Sequence, residues 1–318
     1  MKGDQIDREG WSVPLKYTII KKIFWYLGKI MRKQKKKQEL STQYLIRISQ
    51  IFEKNNWLIE SKENTEDSLF NRYCERILEI NENKKRDLVL ELTERYLWVQ
   101  EEQYIYYLID AVKKMIAVKP EINEKTKIYI MPLVSPEDEG KTKSSSMLVY
   151  LFNSVKLRHD SVLSKYKFEI IDKKEKLLLC LKNKDAILVL ADDYIGTGET
   201  AEKCLLHILK MKVEINQIAI VALVAQKLGL EYLSKYTVCV STSIVRQRGI
   251  SDFYEGGMLD KNIQLMREIE DKMSIREKYR FGYKESEALV TMCRTPNNTF
   301  PIFWEESGNM KIAPFPRF

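Results

Sequence analysis

Ile187–Thr200 reads ILVLADDYIGTGET, and the rest of the chain is organised around it. Ile187 to Ala191 is an unbroken apolar run without helical spacing, which predicts a strand buried on both faces. Asp192 and Asp193 stand where that strand emerges. Gly196-Thr197-Gly198 then forms a turn, and Glu199-Thr200 opens an amphipathic helix, AEKCLLHILKM. Glycines let the backbone turn tightly and approach an anion, and the N–H groups of the following helix, aided by its dipole, hold a phosphate. Thr197 and Thr200 add hydroxyl donors. Two acids beside such a nest suit a vicinal diol or a magnesium ion. Sugar diol, metal and phosphate within one turn describe a phosphoribosyl group.

Outward from this stretch, strands alternate with helices. Lys127–Val134, Phe168–Ile171, Gln217–Val224 and Tyr236–Ile244 read as further strands, Leu177–Leu181 as strand or helix, and Ala225–Lys235 as a helix. Such alternation predicts an α/β fold with a parallel sheet flanked by helices, its ligand at the carboxyl ends of the strands. Between the first strand and a helix expected at Met147–Leu157 lies Ser135–Ser146, with Gly140, Lys141, Lys143 and Ser144 to Ser146. Lysine charge and a serine-capped helix start suit a diphosphate, although the same composition suits a plain surface loop. Arg246 and Arg248 follow the last strand, placed either to face a phosphate or to sit on the surface. Lys261–Tyr279 is a charged helix and Ala288–Met292 a short strand. In Thr295–Trp304 the prolines forbid a helix, Asn297 and Asn298 offer amide edges, and Phe303-Trp304 offers a stacking face, a toolkit for holding a heterocycle. Aromatic packing against the sheet is the alternative for this segment.

Before Lys119-Pro120 the pattern is helical almost throughout, with stripes such as Leu69, Tyr73, Ile77 and Ile80. The expected organisation is therefore an N-terminal helical region at 1–119 and an α/β domain at 120–318. The chain has 318 residues, 44% of them hydrophobic, enough for ample core. With 53 basic against 45 acidic residues its net charge is +8, which favours an anionic partner: nucleotide, nucleic acid or membrane surface. Five scattered cysteines without CxxC spacing argue against disulfides and zinc and fit a reducing cytoplasm. Two histidines, His159 and His207, make a His-rich metal or general-base site improbable. Tyr17–Met31 is too short and charged to span a bilayer. It suits an amphipathic helix, with Arg32–Lys37 as a basic anchor or as a solvated helix end.

Position by position, Leu190–Thr200 resembles the PRPP-binding signature of type I phosphoribosyltransferases. The resemblance implies that Asp192 and Asp193 hold the ribose hydroxyls and that Thr197 to Thr200 hold the 5′-phosphate. It further implies that the loop carrying Lys141 and Lys143 contacts pyrophosphate with Mg2+. Two positions depart from the pattern. Gly196 stands where many members have Thr and purine-type members an Asp that works as base, and Glu199 puts a negative side chain on the phosphate loop, tolerable only if it points away. Pro296–Trp304 (PNNTFPIFW) also resembles the tail of phosphoribosyltransferase-like proteins of bacterial conflict systems, some encoded with retrons. This implies a defence effector or toxin that consumes or modifies nucleotides. Its basic helical region would seat a nucleic-acid-containing regulator such as a reverse transcriptase with its DNA. A nucleotide-sensing module without turnover and a structural nucleic-acid-binding subunit are the alternatives. Oligomeric state stays open.

Overall fold

The computed structural model describes residues 39–59, 68–141, 143–171 and 174–317. The chain forms two compact units, one up to Trp57 and one from Leu58 to Phe318. In the first, α1 (Thr42–Lys54) carries Leu45, Ile48, Ile51 and Phe52 on a buried stripe, and Phe52 meets Trp57 edge to face at 5.2 Å. The amphipathic segment expected at Tyr17–Met31 and the basic run Arg32–Lys37 lie outside the described residues.

The second unit begins with α2 (Leu69–Glu79), capped by Ser68, whose Oγ accepts from the Asn71 amide at 3.2 Å. Next come α3 (Asn83–Glu94), the two-residue strand β1 (Leu97–Trp98) and α4 (Tyr104–Val118). The main sheet contains β2 (Lys127–Pro132), β3 (Lys167–Ile170), β4 (Ile187–Ile195), β5 (Ile218–Gln226) and β6 (Cys239–Arg246). Their order is β3-β2-β4-β5-β6, every pair parallel, so the fold is the α/β architecture expected. Its helices are α5 (Ser144–Leu151), α6 (Val155–Arg158), α7 (Lys174–Cys180), α8 (Glu199–Lys210), α9 (Lys227–Leu233) and α10 (Gly256–Glu270). Leu177–Leu181, ambiguous in sequence, belongs to helix α7 and its end. The strand expected at Ala288–Met292 is β7 (Val290–Thr291), which pairs in parallel with β1 rather than joining the main sheet. Among the described residues, no helix is long and apolar enough to cross a membrane.

Two cores sandwich the sheet. Leu108, Ala111, Val112 and Met115 of α4 and Leu148 and Val149 of α5 pack on Ile187, Val189 and Ala191 of β4 and on Ala219 and Val221 of β5. Leu177 of α7 and Ala201, Cys204, Leu205 and Ile208 of α8 cover the opposite face, made by Leu188, Leu190, Ile218 and Ile220. Burial on both faces is why β4 and β5 read as continuous apolar runs. Residue 119, where the composition changes, falls inside the second unit, because α4 lies across β5 and β6.

Near the carboxyl ends of the two central strands the alternation slips. Leu223 and Val224 are consecutive, yet both join the α4-side core. On β4, at the same level of the register, Asp193 bonds to α4 and α5 while Tyr194 also packs on that side. A strand of strict period two would turn neighbours to opposite faces. Asp192 and Asp193 lie before this slip, and ordinary alternation turns the two acids to opposite faces.

Candidate functional site

A cavity of about 320 Å3 opens at the carboxyl end of β4. Asp192, the turn Gly196–Gly198 and the start of α8 form its floor. Ser135, Glu137 and Asp138 form one wall, and Lys278, Tyr279, Tyr283, Asn297 and Asn298 the other. Of the segments that follow the strands, those after β2 and β4 meet at this cavity and Asn297 and Asn298 join them, whereas the segments after β5 and β6 do not line it.

The turn is shaped by close packing. Gly198 caps α8 in the left-handed region, at φ +85°, which suits glycine. A Cβ on Gly229 of α9 would lie 2.3 Å from the carbonyl oxygen of Gly196, and a Cβ on Gly196 would lie 2.3 Å from Asn298 Oδ1. The tail amide therefore occupies the space a side chain at 196 would need. The first amide to find an acceptor along the helix is that of Glu202, which donates to the Gly198 carbonyl at 2.9 Å. Before it, the helix start has the donor-rich geometry of an anion site. Glu199 turns its carboxylate to the segment between α10 and β7, accepting from Tyr283 Oη at 3.1 Å and pairing with Lys284.

Of the acid pair, Asp192 lines the cavity and Asp193 does not. Asp193 is buried; its Oδ1 accepts from Ser144 Oγ at 2.7 Å and its Oδ2 from Tyr104 Oη at 3.1 Å. Asp192 Oδ1 accepts from the Asp193 amide at 3.0 Å. Burial, reinforced by the adjacent Asp193 charge, raises the Asp192 carboxyl well above the usual range. A cation at the cavity floor would restore its ionised form.

Lys141 and Lys143 both converge on Asp138, at 2.7 and 2.9 Å. Those bonds, Lys141 first, hold the Asp138 carboxyl down to about 2. Lys203 pairs in the same way with Glu137 at 3.1 Å. Arg246 is held elsewhere: its guanidinium donates to the Arg95 carbonyl. Trp304 stands behind the wall rather than in it. Its Nε1 donates to the Thr299 carbonyl at 2.7 Å, and its ring meets Tyr279 edge to face at 6.0 Å. The aromatic residues on that wall of the cavity are Tyr279 and Tyr283, 6.4 Å apart. Sequence reasoning missed this pair, along with Tyr104 and Asp138, because each acts across a distance in the chain that no local pattern marks.

Among the described residues, no group of three or more His, Cys, Asp or Glu side chains could hold a metal ion. Magnesium does not need one, since it usually takes one or two carboxylates and completes its shell with water and substrate oxygens. Asp192, which faces the cavity with Asp193 beside it, fits such an ion.

Residues 55–317 match the family model described as PRTase-CE. A comparison with curated proteins finds no match.

Proposed function

The chain belongs to the PRTase-CE family, a phosphoribosyltransferase-like family, and from that premise we propose that the cavity holds the phosphoribosyl group of PRPP or of a nucleotide and that the protein transfers it at the anomeric carbon. One observation carries this reading. The Asp192 carboxylate, the amide-rich start of α8 and a wall of two asparagines and two tyrosines face a single cavity. The α8 amides and the hydroxyls of Thr197 and Thr200 bind the 5′-phosphate. Asp192 accepts from the ribose hydroxyls. Tyr279 and Tyr283 stack on a heterocycle whose edge Asn297 and Asn298 can read with donor and acceptor alike.

Loss of diphosphate from ribose builds positive charge at the anomeric carbon. Such a state is favoured by fixed carboxylates and by holding the reacting groups in line. Asp192 and the buried Asp193 place negative charge near the sugar. Lys141 and Lys143 stand at the diphosphate side and reach it by leaving Asp138. Magnesium at Asp192, when bound, would neutralise part of the diphosphate charge. Gly196 carries no side chain to serve as a base, so an acceptor either loses its proton elsewhere or has none to lose. We read the activity as that of a defence effector acting on nucleotides, restrained by a nucleic-acid-containing regulator. The PNNTFPIFW tail and the basic N-terminal region support that reading.

A second reading, a sensor that binds the same ligand without turnover, is favoured by one observation. Lys141, Lys143, Lys203 and Lys284 are each already paired with a carboxylate. Pyrophosphate release from PRPP, with metabolite profiling of expressing cells, separates the two. Transfer requires release, or loss of a nucleotide, that disappears in Asp192→Asn/Asp193→Asn. A sensor binds the ligand and releases nothing.

A further inference from the structure

Glu199 is the first residue of α8, directly after Gly198, and it lines the cavity. An acid in the first turn of a helix is usual, because the dipole there favours negative charge. In α8 the same turn is the phosphate site, so the carboxylate competes with the ligand for the field that draws it. The fold supplies a counter-charge. Glu199 Oε1 pairs with the Lys284 ammonium, and its Oε2 accepts from Tyr283 Oη at 3.1 Å. Lys284 comes from the segment between α10 and β7, 85 residues along the chain. Its backbone takes φ +55°, a conformation that lysine rarely adopts. Neighbours pin it there: the Tyr283 amide donates to the Asn297 carbonyl at 2.8 Å, and the Glu285 amide to the Gly282 carbonyl at 2.9 Å. Acids on the opposite wall are matched in the same way, Glu137 by Lys203 and Asp138 by Lys141 and Lys143. We propose that Lys284 is a positioning residue of the phosphate loop: its ammonium holds and neutralises the Glu199 carboxylate, which lets a phosphate bind at the first turn of α8. This rests on the reading of the cavity as a phosphoribosyl site.

The charges decide what the contact is for. A phosphate monoester carries between one and two negative charges at neutral pH. Within one helical turn, a bare carboxylate repels it strongly enough to change binding by roughly tenfold at a protein surface. With Lys284 in place the pair is neutral, and the α8 amides and the hydroxyls of Thr197 and Thr200 act on the ligand unopposed. Tyr283 donates to the same carboxylate, so the wall bearing Tyr279 and Tyr283 is fastened to the phosphate loop through Glu199. Fastening the wall is the competing explanation for the contact. It predicts that breaking the pair from either side does equal harm. Charge balance predicts opposite signs: losing the lysine hinders a phosphate, whereas neutralising the glutamate helps it.

Calorimetric titration of ribose 5-phosphate with Mg2+ into the full chain reads this as a ladder of affinities. Lys284→Asn keeps a residue that tolerates positive φ and leaves Glu199 bare, so binding should weaken about tenfold. Glu199→Gln frees the ammonium and should tighten binding several-fold. Lys284→Asn/Glu199→Gln restores the charge balance of the wild type and should recover most of the loss. Raising the salt to about 0.5 M should draw both single variants toward the wild type, because screening acts on charge and not on packing. Weakening in both single variants would mark the contact as a mere fastening of the wall and overturn the proposal, as would a Lys284→Asn affinity equal to that of the wild type. Should Lys284→Asn fail to fold, Glu199→Gln still decides, since the two explanations give it opposite signs. If the wild type binds no ribose 5-phosphate, the phosphoribosyl reading fails and the proposal falls with it. Binding that shows no such ladder overturns the proposal alone.

Discussion

Gly196→Ala tests how the tail and the phosphate loop fit together. The new Cβ would lie 2.3, 2.4 and 2.6 Å from Oδ1, Cγ and Nδ2 of Asn298, where ordinary contact begins near 3.4 Å. The amide must retreat by about 1 Å, a shift of the kind that overpacked cores resist at ~1–3 kcal/mol. Asn298 is buried and its Nδ2 donates to Ser286 Oγ at 3.2 Å, so the retreat also sacrifices a hydrogen bond of about 1 kcal/mol. The expected cost is roughly 2–4 kcal/mol, or a melting temperature lower by roughly 5–10 °C for a unit of this size. Thermal unfolding followed by circular dichroism measures it. Asn298→Ala removes the three atoms in the way and should recover most of the loss, giving a coupling above ~1 kcal/mol in the double-mutant cycle. Gly229→Ala is the contrast. Its Cβ would strike the Gly196 carbonyl oxygen at 2.3 Å, a backbone atom, so Asn298→Ala should not rescue it. Unchanged stability in Gly196→Ala, or a loss independent of the residue at 298, would refute the reasoning.

Other outcomes follow from the same geometry. Glu270 is fully buried and accepts from the Phe281 amide, and burial pushes its carboxyl up to about 8. Its folded value lies above the unfolded one, so its contribution is complete below about pH 4.5 and is lost as pH rises through about 8. Glu270→Gln should therefore flatten urea-unfolding stability between pH 5 and 8 and be the more stable protein at pH 8, by on the order of 1–4 kcal/mol. Glu199→Ala releases Tyr283 and Lys284. Amide hydrogen exchange across 281–285 should then rise at least several-fold, while the strands of the main sheet keep their protection. Asp138→Asn frees Lys141 and Lys143. Inorganic pyrophosphate should bind about tenfold more tightly by calorimetry, and an unchanged affinity would show that these lysines do not reach the ligand.

How much of this was legible beforehand varied with distance along the chain. The central strands could be read because burial on both faces leaves β5 with no polar residue until Gln226. The phosphate loop could be read because glycine, acid and helix start are neighbours in sequence. What Gly196 does could not, since the atom that excludes a side chain there belongs to Asn298, about a hundred residues on. Strand alternation separates Asp192 from Asp193, but which of them is taken up by other side chains depends on Tyr104 and Ser144, both distant in the chain. Trp304 was the expected stacking face because an indole near two asparagines suits that work. In the fold its N–H is taken by Thr299, and Tyr279 and Tyr283 face the cavity instead. The sequence pattern predicts a charged helix as far as Tyr279, but α10 stops at Glu270. Beyond it Phe281, Lys284, Glu285 and Glu287 all take positive φ, a conformation that non-glycine residues rarely choose and that no composition rule anticipates. Four such residues beside a ligand cavity mark a segment held in place by its neighbours. Glu287, which accepts from the Ile250 and Ser251 amides, is one of the anchors.

Calorimetric titration of PRPP with Mg2+ into the wild type and into Asp192→Asn reaches the central claim most directly. A cavity built for a sugar phosphate gives saturable one-to-one binding that requires the ion and weakens at least tenfold when the carboxylate becomes an amide. Absence of binding in the wild type, or equal affinity in both proteins, would contradict it.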